Sequence, residues 1–176
     1  MTIEPDSKDW TWVLERPCPQ CEYDAAAVRP GDLPALIREQ AQSWRPVLDR
    51  PDAARRPDPA RWSPLEYGCH VRDVLRLYDE RLGLMLAQDD PLYGNWDQDA
   101  TAVEQSYGEQ DPGEVAGELE AAGERLARSF TGLDSPQWAR TGRRSDGASF
   151  TVESFARYFL HDVVHHRWDV ADNRDG

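Results

Sequence analysis

Three of the four histidines in this chain, His161, His165 and His166, fall in the stretch FTVESFARYFLHDVVHHRWDV between Phe150 and Val170. Imidazole is both a near-neutral acid–base group and a common metal ligand. On a helix, at about 100° per residue, His161 and His165 lie about 40° apart on one side, the spacing at which two imidazoles hold one ion. In that projection His166 points away from both. The fourth histidine, His70, sits in another segment and shares a face with Tyr67, Val74 and Leu77, so it looks inward. A site that uses it has to be assembled by tertiary packing. HxxxH also arises by chance, and a lone inward histidine is usually a hydrogen-bonded core residue. What favours a site is that every histidine belongs to this set or lies beside it. His70, His161 and His165 are therefore the candidate metal ligands, and three protein ligands leave a position for water or substrate. No separate catalytic base is assigned.

Cys18 and Cys21 form a CxxC motif. A redox CxxC follows a strand and opens a helix, and a zinc knuckle needs two more ligands nearby. Neither context is visible in the sequence. The expectation is an irregular arm over residues 1–30 that packs its aromatic residues on the domain. Cys69 points about 100° away from its neighbour His70 on a helix and is not counted as a ligand.

Four helices are expected to position these residues. The first runs from about Asp32 to Leu48, with Pro34 in its first turn and an apolar stripe through Leu33, Leu36, Ile37, Trp44, Val47 and Leu48. The second opens on Ser63, with Pro64 at the first helical position and Glu66 completing a capping box, and continues to about Ala87. A long connection over residues 88–110 exceeds what adjacent antiparallel helices need, which suggests a crossover or a lid. Asp111 and Pro112 start the third helix, which reaches Phe130. Asp146-Gly147 reads as a tight turn, a small hairpin leading into the last helix. That helix is apolar on two sides, with Tyr158, His161, His165 and Trp168 on one and Phe155, Phe159 and Val163 on the other. One side lines the site; the other packs on the same chain or on a second subunit, and the reading leans to a homodimer.

The totals bound the rest. A chain of 176 residues fits one domain, residues 1–176, with an all-α four-helix bundle as its fold class. The net charge of −13 argues against nucleic acid as a partner, because binding a polyanion depends on Lys and Arg releasing counterions. No apolar run approaches a bilayer span, and the N-terminus lacks a basic region followed by an apolar one. Three cysteines cannot all pair within one chain. A cytoplasmic protein acting on a small-molecule substrate, with no membrane partner, is expected.

WSPLEYGCHVRD followed, after a crossover and a third helix, by FARYFLHDVVHHRWDV resembles the DinB-like superfamily of metal-binding four-helix proteins. The specific residues are Trp62, Ser63, Glu66, His70 and Asp73 in the first motif and His161, His165 and His166 in the second. Trp138, the RSDG of Arg144 to Gly147 and the following FTV resemble actinobacterial members grouped with mycothiol-dependent maleylpyruvate isomerases and related thiol transferases. The resemblance implies an up-down-down-up bundle and a three-histidine site for zinc or nickel, matched by His70, His161 and His165. It also implies a metal-dependent transferase that joins a low-molecular-weight thiol, as cosubstrate, to a small electrophile. Hydrolase or isomerase chemistry on the same ion is the nearest variant. The alternative is a non-catalytic metal-binding or stress-related protein. The chain is expected to lack the additional C-terminal domain of the isomerases, and the CxxC arm is not part of the general family pattern.

Overall fold

A computed structural model describes residues 9–171, and its longest element begins at the strongest local signal in the sequence. Ser63 Oγ accepts from the Glu66 N–H at 3.2 Å and Glu66 Oε2 accepts from the Ser63 N–H at 2.8 Å, so the capping box is closed in both directions. Arg56 adds an ion pair to the same carboxylate. The helix that follows, α3 (Pro64–Ala87), ends where Arg140 donates to the carbonyls of Met85 and Gln88, each at 2.6 Å, satisfying acceptors that a helix end leaves free.

The first predicted helix is divided. It forms α1 (Leu33–Gln42) and a single turn, α2 (Arg45–Leu48). Pro46 is the cause: it has no N–H to give Gln42, and its ring collides with that carbonyl in a continuous helix. Trp44 at the break is fully buried, so the kink places an indole in the core. After α3 come a two-residue strand β1 (Leu92–Tyr93), a short helix α4 (Gln98–Glu104) and a 3-10 turn at Tyr107–Glu109. Asp111 then caps α5 (Pro112–Phe130) by accepting from the Glu114 N–H at 2.9 Å.

A single turn, α6 (Ser135–Trp138), leads to the hairpin of β2 (Thr141–Arg144) and β3 (Ser149–Thr151). Gly147, at φ 100°, occupies a left-handed position in its turn. The strands are antiparallel, with Gly142 opposite Phe150, and β1 adds to β2 in parallel. β3 runs straight into Thr151, the N-cap of α7 (Val152–Asp169), so the hairpin sets where the histidine-bearing helix begins.

Around the bundle, α5 lies between α1 and α3, and α7 packs on α3 and α1. This is the four-helix bundle expected, with residues 88–111 as the crossover that an up-down-down-up order requires. Phe130, Phe155 and Phe159 are at most 1% exposed; Phe155 and Phe159 meet Tyr78 at the centre, and Phe130 stacks on Phe159. The two-sided burial of α7 is accounted for within the chain, because its His161 side is covered by residues 9–30, whose regular elements are 3-10 turns at Thr11–Leu14 and Ala25–Ala27 and the start of a third at Pro30–Asp32. Residues 1–8 of the expected arm and 172–176 of the tail lie outside the described residues. Among the described residues no helix is long and apolar enough to cross a membrane.

Candidate metal centre

The sequence HDVVHH on α7 holds two pairs at helical spacing, His161 with His165 and Asp162 with His166, each pair one residue and about 100° from the other. That rotation sends them to different neighbours. Asp162 and His166 face α3 and meet His70. His161 and His165 face the arm and meet Cys18 and Cys21. Within each set the metal-ligating atoms all lie within 4.8 Å of one another.

The expected triad is thereby divided. His70, His161 and His165 line one cavity, but His70 does not fall in the same close group as the other two among the described residues. His166, which the helical projection set aside, stands beside His70, their rings 4.8 Å apart and edge to face. The sequence signal for this grouping was the second i,i+4 pair, which includes a carboxylate rather than a second imidazole.

In the α3-facing group, Asp162 Oδ2 lies 3.3 Å from His70 Nε2 and Asp162 Oδ1 lies 3.3 Å from His166 Nε2. The carboxylate thus spans the two imidazoles through its two oxygens, and one ligating atom from each of the three residues lies within 4.8 Å of the others, close enough to hold a small divalent cation. His166 Nδ1 is 2.9 Å from Asp169 Oδ2, the carboxylate contact that orients a ligating imidazole. Among the described residues neither Glu66 nor Asp73 hydrogen-bonds His70. Glu66 serves the cap and Arg56, while Asp73 accepts from Arg72 and, at 2.6 Å, from the Tyr107 hydroxyl. The buried Nδ1 of His70 has no hydrogen-bond partner among the described residues. Instead the ring is gripped by aromatics, stacked on Trp96 of the crossover at 5.3 Å and tilted against Trp62 at 5.5 Å.

The electrostatics favour positive charge between the carboxylates, which a proton on His166 supplies and a bound ion has to displace. Burial raises the Asp162 pKa, but His166 and His70 outweigh it and hold the carboxyl well below its usual range. Burial opposes the charged form of His166, yet Asp162 and Asp169 push its pKa up to about 10. Burial lowers the pKa of His70 despite Asp162.

In the arm-facing group, Cys18 Sγ lies 3.7 Å from His165 Nδ1, and His161 Nε2 is buried without a hydrogen-bond partner among the described residues. Burial and then the nearby His165 push the His161 pKa down to about 4, leaving its ring neutral with a lone pair to give. Burial and the Cys18 thiol push Cys21 up to about 11. Cys69 stays outside both groups: its thiol faces the Tyr107 carbonyl and Gln110 Oε1, and burial pushes its pKa up to about 12.

The α3-facing group opens into a cavity of about 1210 Å³. Trp10, Trp62, Trp96 and Tyr158 form aromatic walls, and Arg81 and Arg144 line the cavity further along. Trp168, expected as a wall, packs on His165 at 5.3 Å and does not line it. Arg144 pairs with Asp146 at 2.8 Å. Arg81 is 5% exposed, lies over the Tyr93 ring at 4.8 Å and has no carboxylate partner among the described residues.

Comparison with known proteins bears on the fold and the family. A search of curated proteins found no match. Among solved structures, YfiT from Bacillus subtilis, described as a probable metal-dependent hydrolase with an unusual four-helix bundle topology, is similar at a TM-score of 0.70 and 16% identity. The similarity covers 80% of this chain and 85% of YfiT. The sequence also matches the family model of the DinB superfamily over residues 22–170, from the CxxC loop to the end of α7, and the chain therefore belongs to that superfamily.

Proposed function

We propose that the chain is a metal-dependent hydrolase whose ion is held by His70, Asp162 and His166. The observation that carries this reading is the three-donor group, its ligating atoms within 4.8 Å of one another, at the wall of the large cavity. Three protein ligands leave room for a substrate atom or water, unlike a closed structural site. A divalent cation in that position supplies Lewis acidity, polarising a substrate oxygen and lowering the pKa of water or a thiol toward neutrality. The chain's own residues do the rest. Asp169 holds the His166 ring through Nδ1 so that Nε2 faces the site. Trp62 and Trp96 fix His70 and exclude water from its faces. Arg81, a buried guanidinium without a counter-ion among the described residues, lies at the cavity wall and suits a substrate with a carboxylate or similar anionic group.

The cavity's size supports a second reading. At about 1210 Å³ it exceeds the usual 300–1,000 Å³ of a single-ligand pocket. Transfer of a low-molecular-weight thiol to a small electrophile needs room for two reactants at one ion.

Both readings meet one experiment. Bound metal is measured in the wild type, His70→Ala and Asp162→Ala, and each protein is assayed on anionic ester, lactone and amide panels with and without added thiols. Loss of one ion per chain and at least a hundredfold loss of hydrolysis in both variants is expected. Turnover that depends wholly on thiol selects the transferase reading. Full metal retention in both variants, or wild-type turnover unaffected by chelation, defeats the site.

A further inference from the structure

We propose that Cys18, Cys21, His161 and His165 hold a second divalent ion of zinc's chemistry, closing a four-ligand clamp between the N-terminal arm and α7. Two thiolates and two imidazoles are a donor set that selects zinc, and their number fills its tetrahedron. Zn–S near 2.3 Å and Zn–N near 2.0–2.1 Å imply S–N edges of about 3.6 Å, S–S edges of about 3.8 Å and N–N edges of about 3.3 Å. The observed Cys18 Sγ to His165 Nδ1 distance is 3.7 Å, and all four ligand atoms lie within 4.8 Å of one another.

Local structure prepares both halves. The chain reverses over Cys18–Glu22: the Cys18 N–H donates to the Tyr23 carbonyl and the Glu22 N–H to the Cys18 carbonyl, both at 2.9 Å. Glu22 takes a left-handed φ of 60° to complete this knuckle. On α7 the i,i+4 spacing supplies the two imidazoles. A second observation points independently to a ligand: His161 is 4% exposed, yet its Nε2 has no hydrogen-bond partner among the described residues. A buried polar nitrogen of this kind costs free energy unless something fills its lone pair or takes its proton.

The clamp differs in kind from the three-ligand group beside it. Neither cysteine lines the cavity, and Trp10, Trp12 and Tyr23 pack their rings on His161 at 5.5, 6.4 and 5.6 Å. With every coordination position taken by protein, the ion is structural. Its role follows from the arm itself: its described residues form only short 3-10 turns, and the ion would add to the burial of Val13, Tyr23 and Val28 in offsetting their ordering entropy. Pinning Cys18 and Cys21 to α7 holds Trp10, a cavity wall, in place.

The test counts ions and reads their ligands. Wild type, Cys18→Ser/Cys21→Ser and His70→Ala/Asp162→Ala are purified under reducing conditions, assayed for zinc, and reconstituted with cobalt(II). The wild type should hold one more zinc per chain than the double-serine variant. Its cobalt form should show thiolate-to-metal charge transfer in the near ultraviolet, kept in His70→Ala/Asp162→Ala and lost in the double-serine protein. Failure of the hydrolase site would leave this band untouched, so the two readings are tested separately. Equal zinc in wild type and double-serine protein, or a wild-type cobalt spectrum without the band, overturns the clamp. Should the double-serine variant fail to fold, alkylation of wild-type Cys18 and Cys21, mapped by mass spectrometry, replaces it. Slow labelling that accelerates once a chelator is added is expected, and labelling at equal rates with and without chelator overturns the proposal.

Discussion

Asp169 lines the cavity without being one of the proposed ligands, and its 2.9 Å contact with His166 Nδ1 decides which nitrogen that ring presents. Outer carboxylates of this type are worth about 10–100-fold in metal affinity. Asp169→Asn is expected to weaken metal binding at the α3-facing group by about that factor while leaving the thiolate–cobalt band unchanged, as competition with a chromophoric chelator would measure. Asp162 shows why a carboxylate matters between two imidazoles. It carries the negative charge that faces both His70 and His166, and it was invisible to a search confined to histidines. Cys18 and Cys21 were legible as a CxxC, but their two partners are more than a hundred positions away in the chain, at a separation no local motif encodes.

At the scale of elements, α1 and α5 meet unusually closely. A Cβ at Gly123 would stand 2.4 Å from the Ala41 Cβ, and neither atom can rotate away. Gly123→Ala should therefore destabilise the fold by about 1–3 kcal/mol, despite alanine's better helix propensity, because overpacking outweighs the gain of up to about 1 kcal/mol. Chemical denaturation checks the sign. The start of α3 gives a pH prediction. Burial raises the Glu66 pKa, but Arg56 and the Ser63 N–H outweigh it and leave it below the normal value of 4.5. A depressed carboxyl contributes stability that is present above its unfolded pKa and lost as pH falls through the folded one. Stability should thus decline below about pH 4.5, and Arg56→Ala should flatten that decline in acid-unfolding curves. The helix limits at Pro64–Ala87 and Pro112–Phe130 were readable because capping residues act within four positions. The break at Ser43 was not expected, although Pro46 in the sequence carries its cause.

Across the whole molecule, the crossover connects bundle stability to the site. Its far end is tied to α3 and α5 by buried Arg72, which donates to Gln110 at 2.7 Å and Glu118 at 2.9 Å, and by the Tyr107 hydroxyl on Asp73. Its near end is held by Arg81, which donates to the Gly94 carbonyl at 2.7 Å. Trp96, stacked on His70, lies between these anchors. Tyr107→Phe removes one charge-assisted bond and is expected to cost about 1.5–3 kcal/mol. Amide exchange should rise from Trp96 to Gln110 while the α5–α1 contact stays protected. Unchanged exchange in the crossover would separate it from the anchor.

The sequence by itself determined the helices, the crossover, the hairpin turn and the histidine-rich last helix. All of these rest on capping, turn chemistry and hydrophobic spacing within a few residues. The resemblance carried by WSPLEYGCH and FLHDVVHH reached the correct superfamily. Tertiary structure decided which side of α7 meets which neighbour. A one-residue shift rotates a helical pair by about 100°, enough to exchange α3 for the N-terminal arm as its partner. That rotation assigned Asp162 and His166 to His70, and His161 and His165 to Cys18 and Cys21. Spacing fixes which side chains share a face, but only packing fixes what that face meets.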